Sequence, residues 1–159
     1  MAIYLMLINS YDLFCNIIDV IYLERNYIMA LFNQTIQLAV CGLHLKGFPL
    51  ELQLLNLDAV YQKTTLTAPC YSLYTLNTDP PKPGLVRQDQ NGSAIEVDIW
   101  ELSFEALGKF LSEIPSPLTL GKVKLPDGNT VTGFLCEPYA LSDAVDISYT
   151  GGWRYYGET

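Results

Sequence analysis

Ile36-Gln37-Leu38-Ala39-Val40-Cys41-Gly42-Leu43-His44-Leu45-Lys46-Gly47-Phe48-Pro49-Leu50 joins an apolar run to a glycine-framed turn. Ile36 to Cys41 has the composition of a buried strand, and Gly42 ends it. The turn presents His44, the single histidine of the chain. A strand that runs into a loop carrying one imidazole is a place where a small anion can be held and protonated. Two further glycine-bearing blocks lie downstream, Pro80-Pro81-Lys82-Pro83-Gly84-Leu85-Val86-Arg87 and Thr150-Gly151-Gly152-Trp153-Arg154.

Working outward, Phe48 to Asn56 reads as a short helical turn packed by Leu50, Leu52 and Leu55. Ala59 to Thr67 has strand composition, and Pro69 interrupts the run because it lacks a ladder donor. Tyr71 to Leu76 alternates as a strand does. Asp79 to Pro83 holds three prolines and predicts a stiff extended loop. Asn91-Gly92 is a hairpin-turn signal, followed by a strand from Ala94 to Leu102. Ser103 is placed to cap a helix from Phe104 to about Glu113, with Phe104, Leu107, Phe110 and Leu111 as its apolar stripe. Val123 to Glu137 predicts a hairpin around Pro126-Asp127-Gly128-Asn129, and Ala140 to Asp146 a short helix. Many short strands with few helices define an α+β class: a mixed, mostly antiparallel sheet that curves into a small barrel with flanking helices.

Half of the 159 residues are hydrophobic, enough for one packed domain and too few residues for two ordinary ones. The net charge of −8 leaves no basic footprint for nucleic acid and disfavours anionic membranes. An anionic substrate must therefore be caught locally, by backbone N–H groups or by one cation. The four cysteines, Cys15, Cys41, Cys70 and Cys136, are far apart, which fits buried free thiols in a reducing cytoplasm. With one histidine and no Cys-x-x-Cys pair, neither a metal site nor a cofactor is expected.

Residues 1–28 form an N-terminal appendage, helical or not always translated, with Met29 as a second start. The stretch is apolar, but Asp12 and Asp19 interrupt it, and each Asp near a bilayer centre costs about 2.5–3.5 kcal/mol. It lacks a basic n-region and a small-residue cleavage site, so neither a membrane span nor a signal peptide is expected. The compact domain is read as 29–159.

Seven blocks occur in order. They are Gly42-Leu43-His44-Leu45-Lys46-Gly47-Phe48-Pro49-Leu50, Thr67-Ala68-Pro69-Cys70-Tyr71-Ser72-Leu73-Tyr74, Pro80-Pro81-Lys82-Pro83-Gly84-Leu85-Val86-Arg87, Ala94-Ile95-Glu96-Val97-Asp98-Ile99-Trp100-Glu101-Leu102, Ile114-Pro115-Ser116-Pro117-Leu118, Gly133-Phe134-Leu135-Cys136-Glu137 and Gly151-Gly152-Trp153-Arg154-Tyr155-Tyr156. Together they resemble the C-terminal domain of allophanate hydrolase. The resemblance implies a γ-glutamylcyclotransferase-like fold. It also implies the decarboxylation of N-carboxycarbamate, the step of urea degradation that comes after amide cleavage by an amidase domain. This chain has no amidase half, so the resemblance implies no amidase activity, a separate amidase as partner and a homodimer as assembly. Two other readings stand beside it: a non-catalytic ligand-binding or interaction module docking to an amidase, and an amide-cyclising enzyme of cyclotransferase type.

Decarboxylation needs a held anion and a proton delivered as the C–N bond breaks. His44 suits the proton, since an ordinary imidazole titrates near neutrality. Gly42 and Leu43 suit the anion, through N–H groups in a turn that glycine tolerates at positive φ. Glu96 alternates away from Ile95 and Val97 and is a candidate to orient His44 or act as acid or base. Arg87 is a candidate carboxylate clamp, and Tyr71 a candidate substrate contact. Tyr74 and Trp153 read as packing residues. Glu51 stands where the family loop usually reads Asn and adds negative charge beside the site. Glu113-Ile114-Pro115 does not match the acid-bearing segment of cyclotransferases, which argues against that third activity.

Overall fold

The computed structural model describes residues 21–25 and 34–156. The chain divides into two units, 1–34 and 35–159. Residues 21–25 are helical, and the other readings made for the N-terminal appendage lie outside the described residues.

In the second unit the strands are β1 (Thr35–Val40), β2 (Val60–Leu66), β3 (Tyr71–Leu76), β4 (Lys82–Arg87), β5 (Glu96–Ser103), β6 (Leu118–Lys124), β7 (Thr130–Cys136) and β8 (Val145–Asp146). Helix α1 is Glu51–Leu55 and α2 is Phe104–Ser112. The strands form a five-stranded sheet, β2-β5-β1-β7-β6, and a three-stranded sheet, β4-β3-β8. All pairings are antiparallel except β1 with β7. The α+β class and the mostly antiparallel sheet stand as expected.

The barrel does not close. The larger sheet ends at β2 and β6, which do not pair with each other; the segment that follows β2 meets β6 at a seam. At that seam Ala68 N–H donates to Lys124 O at 2.8 Å. Lys124 N–H donates to the hydroxyl of Tyr71 at 2.7 Å. Tyr71 is wholly buried, so the side chain expected to touch substrate closes the seam instead.

The central strands are buried on both faces. Leu38, Ala39 and Val40 of β1 and Val97, Asp98, Ile99 and Trp100 of β5 are consecutive and all buried. Helix α2 packs on β1 and β5, and β4 packs on β7. The inside–outside alternation expected for β5 fails, since a strand covered on both sides reads as a continuous apolar run.

Ser103 caps α2 as expected, its Oγ accepting from Ala106 N–H at 3.1 Å. Such a cap contributes about 1 kcal/mol. The stripe is narrower than the sequence suggested: Ala106 and Phe110 are buried, while Phe104 and Leu111 are about half exposed. Helix α1 likewise packs through Leu54, while Leu52 and Leu55 face solvent. Burying one such Leu or Phe side chain contributes about 1.5–3 kcal/mol.

Three further readings are revised. The proline run does not stay a loop: Lys82-Pro83-Gly84 enters β4, an edge strand, where a missing N–H is tolerated. Asn91-Gly92 does not close a hairpin, because β4 and β5 belong to different sheets. Ala140 to Asp146 is no helix; a 3-10 turn over Pro138–Leu141 precedes the short strand β8.

Candidate functional site

A cavity of about 230 Å³ opens where β1 ends and the chain turns. Its wall combines the end of β1 and the adjoining turn (Cys41, Gly42, Leu43, His44), α1 (Gln53), the start of β4 (Lys82, Pro83), the end of α2 and beyond (Phe110, Glu113, Ile114, Pro115) and Phe134 of β7.

His44 is gripped on two sides. Phe134 stacks on it at 5.5 Å between centroids, and Phe110 meets it edge-on at 5.0 Å. Its Nε2 lies 2.8 Å from Gln53 Oε1. With that oxygen accepting, Nε2 carries the proton and Nδ1 keeps its lone pair. Burial pushes the imidazole below 6.5; the Gln53 hydrogen bond opposes this, and the Lys82 charge adds to it. The free ring is therefore mostly neutral at neutral pH.

That shift has a consequence for stability. The unfolded chain, with an ordinary histidine, binds a proton below 6.5 that the folded ring refuses. Wild-type protein should lose stability relative to His44→Gln as pH falls below 6.5, and the difference should level off once the folded ring also protonates. Urea denaturation of both proteins between about pH 8 and 5 reads this, since carboxylate titrations common to both cancel. Parallel curves would show that the ring is not shielded from water.

The turn leaves backbone donors at the cavity wall. Leu45 N–H returns to Gly42 O at 2.9 Å and Leu50 N–H to Leu43 O at 2.9 Å. The N–H groups of Gly42, Leu43 and His44 find no acceptor among the described residues. Gly42 has no positive φ; that conformation belongs to Gly47, at 84°. Glycine is required at position 42 for a different reason. A Cβ there would lie 2.3 Å from Pro83 Cγ. This close approach seats the start of β4, and so Lys82, against the His44 turn.

Cys41 is wholly buried in the same wall, and burial, with neighbouring Cys136, pushes its thiol up to about 12. It stays protonated and acts as packing. Cys41, Cys70 and Cys136 are all free thiols. Glu51 does not aim its charge at the cavity; its Oε2 accepts the Gly47 N–H at 2.8 Å. That carboxylate thus braces the loop.

Of the residues expected at the site, Gly42, Leu43 and His44 come together. Glu96 does not join them. It is bound by Arg154 Nε at 2.8 Å and by the Tyr155 hydroxyl at 2.9 Å, outside the cavity wall. Arg87 is also absent from the wall: it ends β4, exposed, at the opposite end from Lys82. Six strand residues span about 17 Å, so the two cations cannot serve one pocket. The cation that does line the cavity is Lys82, at the other end of the same block. Lys82, Gln53, Phe110 and Phe134 line the cavity without having been expected there; helix spacing marked Phe110 only as core, and Glu113 was weighed only against the cyclotransferase acid.

Among the described residues, no helix is long and apolar enough to cross a membrane. The fold is shared with an AIG2-like protein of Mus musculus, at a TM-score of 0.53 and 18% identity over 69% of this chain and 84% of that one. The class is thus an α+β domain of cyclotransferase-like fold, in an open two-sheet form. More particularly, the chain belongs to the allophanate hydrolase C-terminal domain family, whose pattern matches residues 36–158. Urea amidolyase of Saccharomyces cerevisiae is 44% identical over 131 residues, covering 79% of this chain and 7% of that protein. Kluyveromyces lactis allophanate hydrolase superposes with a TM-score of 0.76 at 37% identity, covering 79% of this chain and 21% of that one. The chain thus spans a small fraction of the curated relatives it matches.

Proposed function

We propose that this domain performs the decarboxylation step of allophanate breakdown, taking N-carboxycarbamate or a closely related small carboxylate from an amidase. The observation that carries this reading is the juxtaposition, in one small cavity, of His44, the Gly42–Leu43–His44 backbone donors and Lys82. One carboxylate of the substrate sits on the N–H groups and the Lys82 ammonium. Its negative charge raises the affinity of His44 for a proton, so the ring that is neutral when empty becomes the acid when loaded. As CO2 leaves, the electron pair of the breaking C–N bond takes the imidazolium proton at nitrogen, and carbamate remains. Phe110 and Phe134 hold the ring in place during transfer.

The test couples this protein to an amidase that cleaves allophanate and monitors CO2 release. Faster CO2 release on adding the protein is expected, with no cleavage of allophanate by the protein alone; an unchanged rate sinks the reading. Lys82→Gln should weaken binding of malonate, a dicarboxylate probe, by about tenfold, the scale of a lost charge-assisted hydrogen bond. Isothermal titration measures this. Unaltered affinity would remove Lys82 from the anion site. A homodimer remains part of the proposal and is read by sedimentation.

A second reading has one observation in its favour. Glu113, at the C-terminus of α2, lines the cavity with His44 and so stands where a carboxylate acid or base could work. Amine release from γ-glutamyl dipeptides would favour this cyclotransferase-type chemistry over decarboxylation.

A further inference from the structure

One residue of the turn that carries His44 is held from outside through both of its backbone groups. Lys46, two positions on, sends its N–H to Asp98 Oδ2 at 2.7 Å. Its carbonyl accepts from Arg154 Nη1 at 2.9 Å. The same guanidinium donates through Nε to Glu96 Oε1 at 2.8 Å and through Nη2 to Asp98 Oδ2 at 2.6 Å. Its Cζ lies 5.4 Å from the Phe48 ring centroid. Asp98 is wholly buried, and its second oxygen accepts the Thr64 hydroxyl at 2.6 Å. Leu45, between His44 and Lys46, is wholly buried too.

We propose that Arg154 and Asp98 are positioning residues that set the placement of the His44 ring by fixing both backbone groups of Lys46, so that the segment after Gly152 governs a cavity it does not line. The proposal rests on the reading of His44 as the acting imidazole. Leu45 in the core and Lys46 in the clamp leave the peptide chain no rotation between them, and this fixes the direction in which residue 44 leaves the turn. A buried carboxylate is a poor source of stability, since apolar side chains of similar volume often do as well, but it is directional. Arginine suits the role because its planar fork serves several acceptors at fixed angles, which an ammonium cannot do.

The single histidine makes the test direct, because its ring resonances need no assignment. The titratable groups that share its cavity are Cys41 at the end of β1, Lys82 of β4 and Glu113 after α2; Gln53 of α1 is neutral. Arg154→Lys keeps the charge and loses the fork, so the electrostatic field at His44 is held while the clamp is removed. In the full chain, an NMR titration of Arg154→Lys should show His44 moving up toward its ordinary value. Malonate affinity should fall about ten- to a hundredfold, the scale on which small misplacements act. Val131→Ala, a buried truncation in β7 outside the cavity wall, serves as the comparison with lowered melting temperature. It should leave the titration unchanged. The proposal is overturned if Arg154→Lys titrates and binds malonate as wild type, or if Val131→Ala shifts His44 as far. These outcomes are read without turnover, so they stand apart from any failure of the decarboxylation reading.

Discussion

Replacing His44 with alanine is expected to slow CO2 release from N-carboxycarbamate by about 10²–10⁴-fold, the usual range for a lost general acid. The variant should still fold, because the ring is held between Phe110 and Phe134 at the edge of the core and is only partly buried. His44→Gln retains more side-chain volume and cannot deliver a proton from an imidazolium, so it should lose the same activity with less loss of stability. Both variants should bind malonate, weakened but measurably, through Lys82 and the turn amides. A coupled amidase assay at saturating substrate decides the matter. If turnover survives in both variants, the imidazole is not the acid, and the proton comes from another group.

Gly42→Ala should damage both the stability of this domain and its anion site. The new Cβ would sit 2.3 Å from Pro83 Cγ and 2.8 Å from Pro83 Cδ. A proline ring has little freedom to yield, and Pro83 is pinned in β4 opposite Thr75. Either the turn or the start of β4 must move by a large fraction of an ångström. Overpacking of this kind costs about 1–3 kcal/mol. For a unit of this size that lowers the melting temperature by several degrees, roughly 3–10 °C. The functional loss should exceed the stability loss, because the displaced groups are the turn amides and Lys82, the two parts of the anion site. Melting by circular dichroism and malonate titration measure the two effects. A variant that melts and binds as wild type would show that the contact between Gly42 and Pro83 is not tight in solution.

The sequence-level reading succeeded where the signals were local. Strand β1 announced itself as an apolar run ended by glycine, α2 by its cap and the prolines beyond its end, and the β6–β7 hairpin by Pro126-Asp127-Gly128-Asn129. His44, Gly42 and Leu43 were legible because one contiguous segment holds all three. The misreadings have a common cause. Glu96 was assigned by alternation, which says which side of a strand a residue faces but not what waits there; Arg154, 58 residues away, was waiting. Arg87 and Tyr71 were chosen by side-chain type, and only the packing of β4 and the seam at Lys124 showed one outside the cavity and the other buried. The stripe of α2 was drawn too wide because helical spacing cannot tell a face covered by a sheet from one at its margin.

By itself the amino-acid order determined the α+β class, the family and the imidazole-bearing turn, since each is written in short-range pattern and in blocks that need no partner. Only the tertiary structure decided that the sheet stays open, that Lys82 rather than Arg87 faces the imidazole, and that Asp98 and Arg154 fasten the turn. Those facts depend on contacts between segments far apart in the chain. Burial and charge pairing at such contacts are set by which surfaces meet in space, a quantity with no period and no local signature.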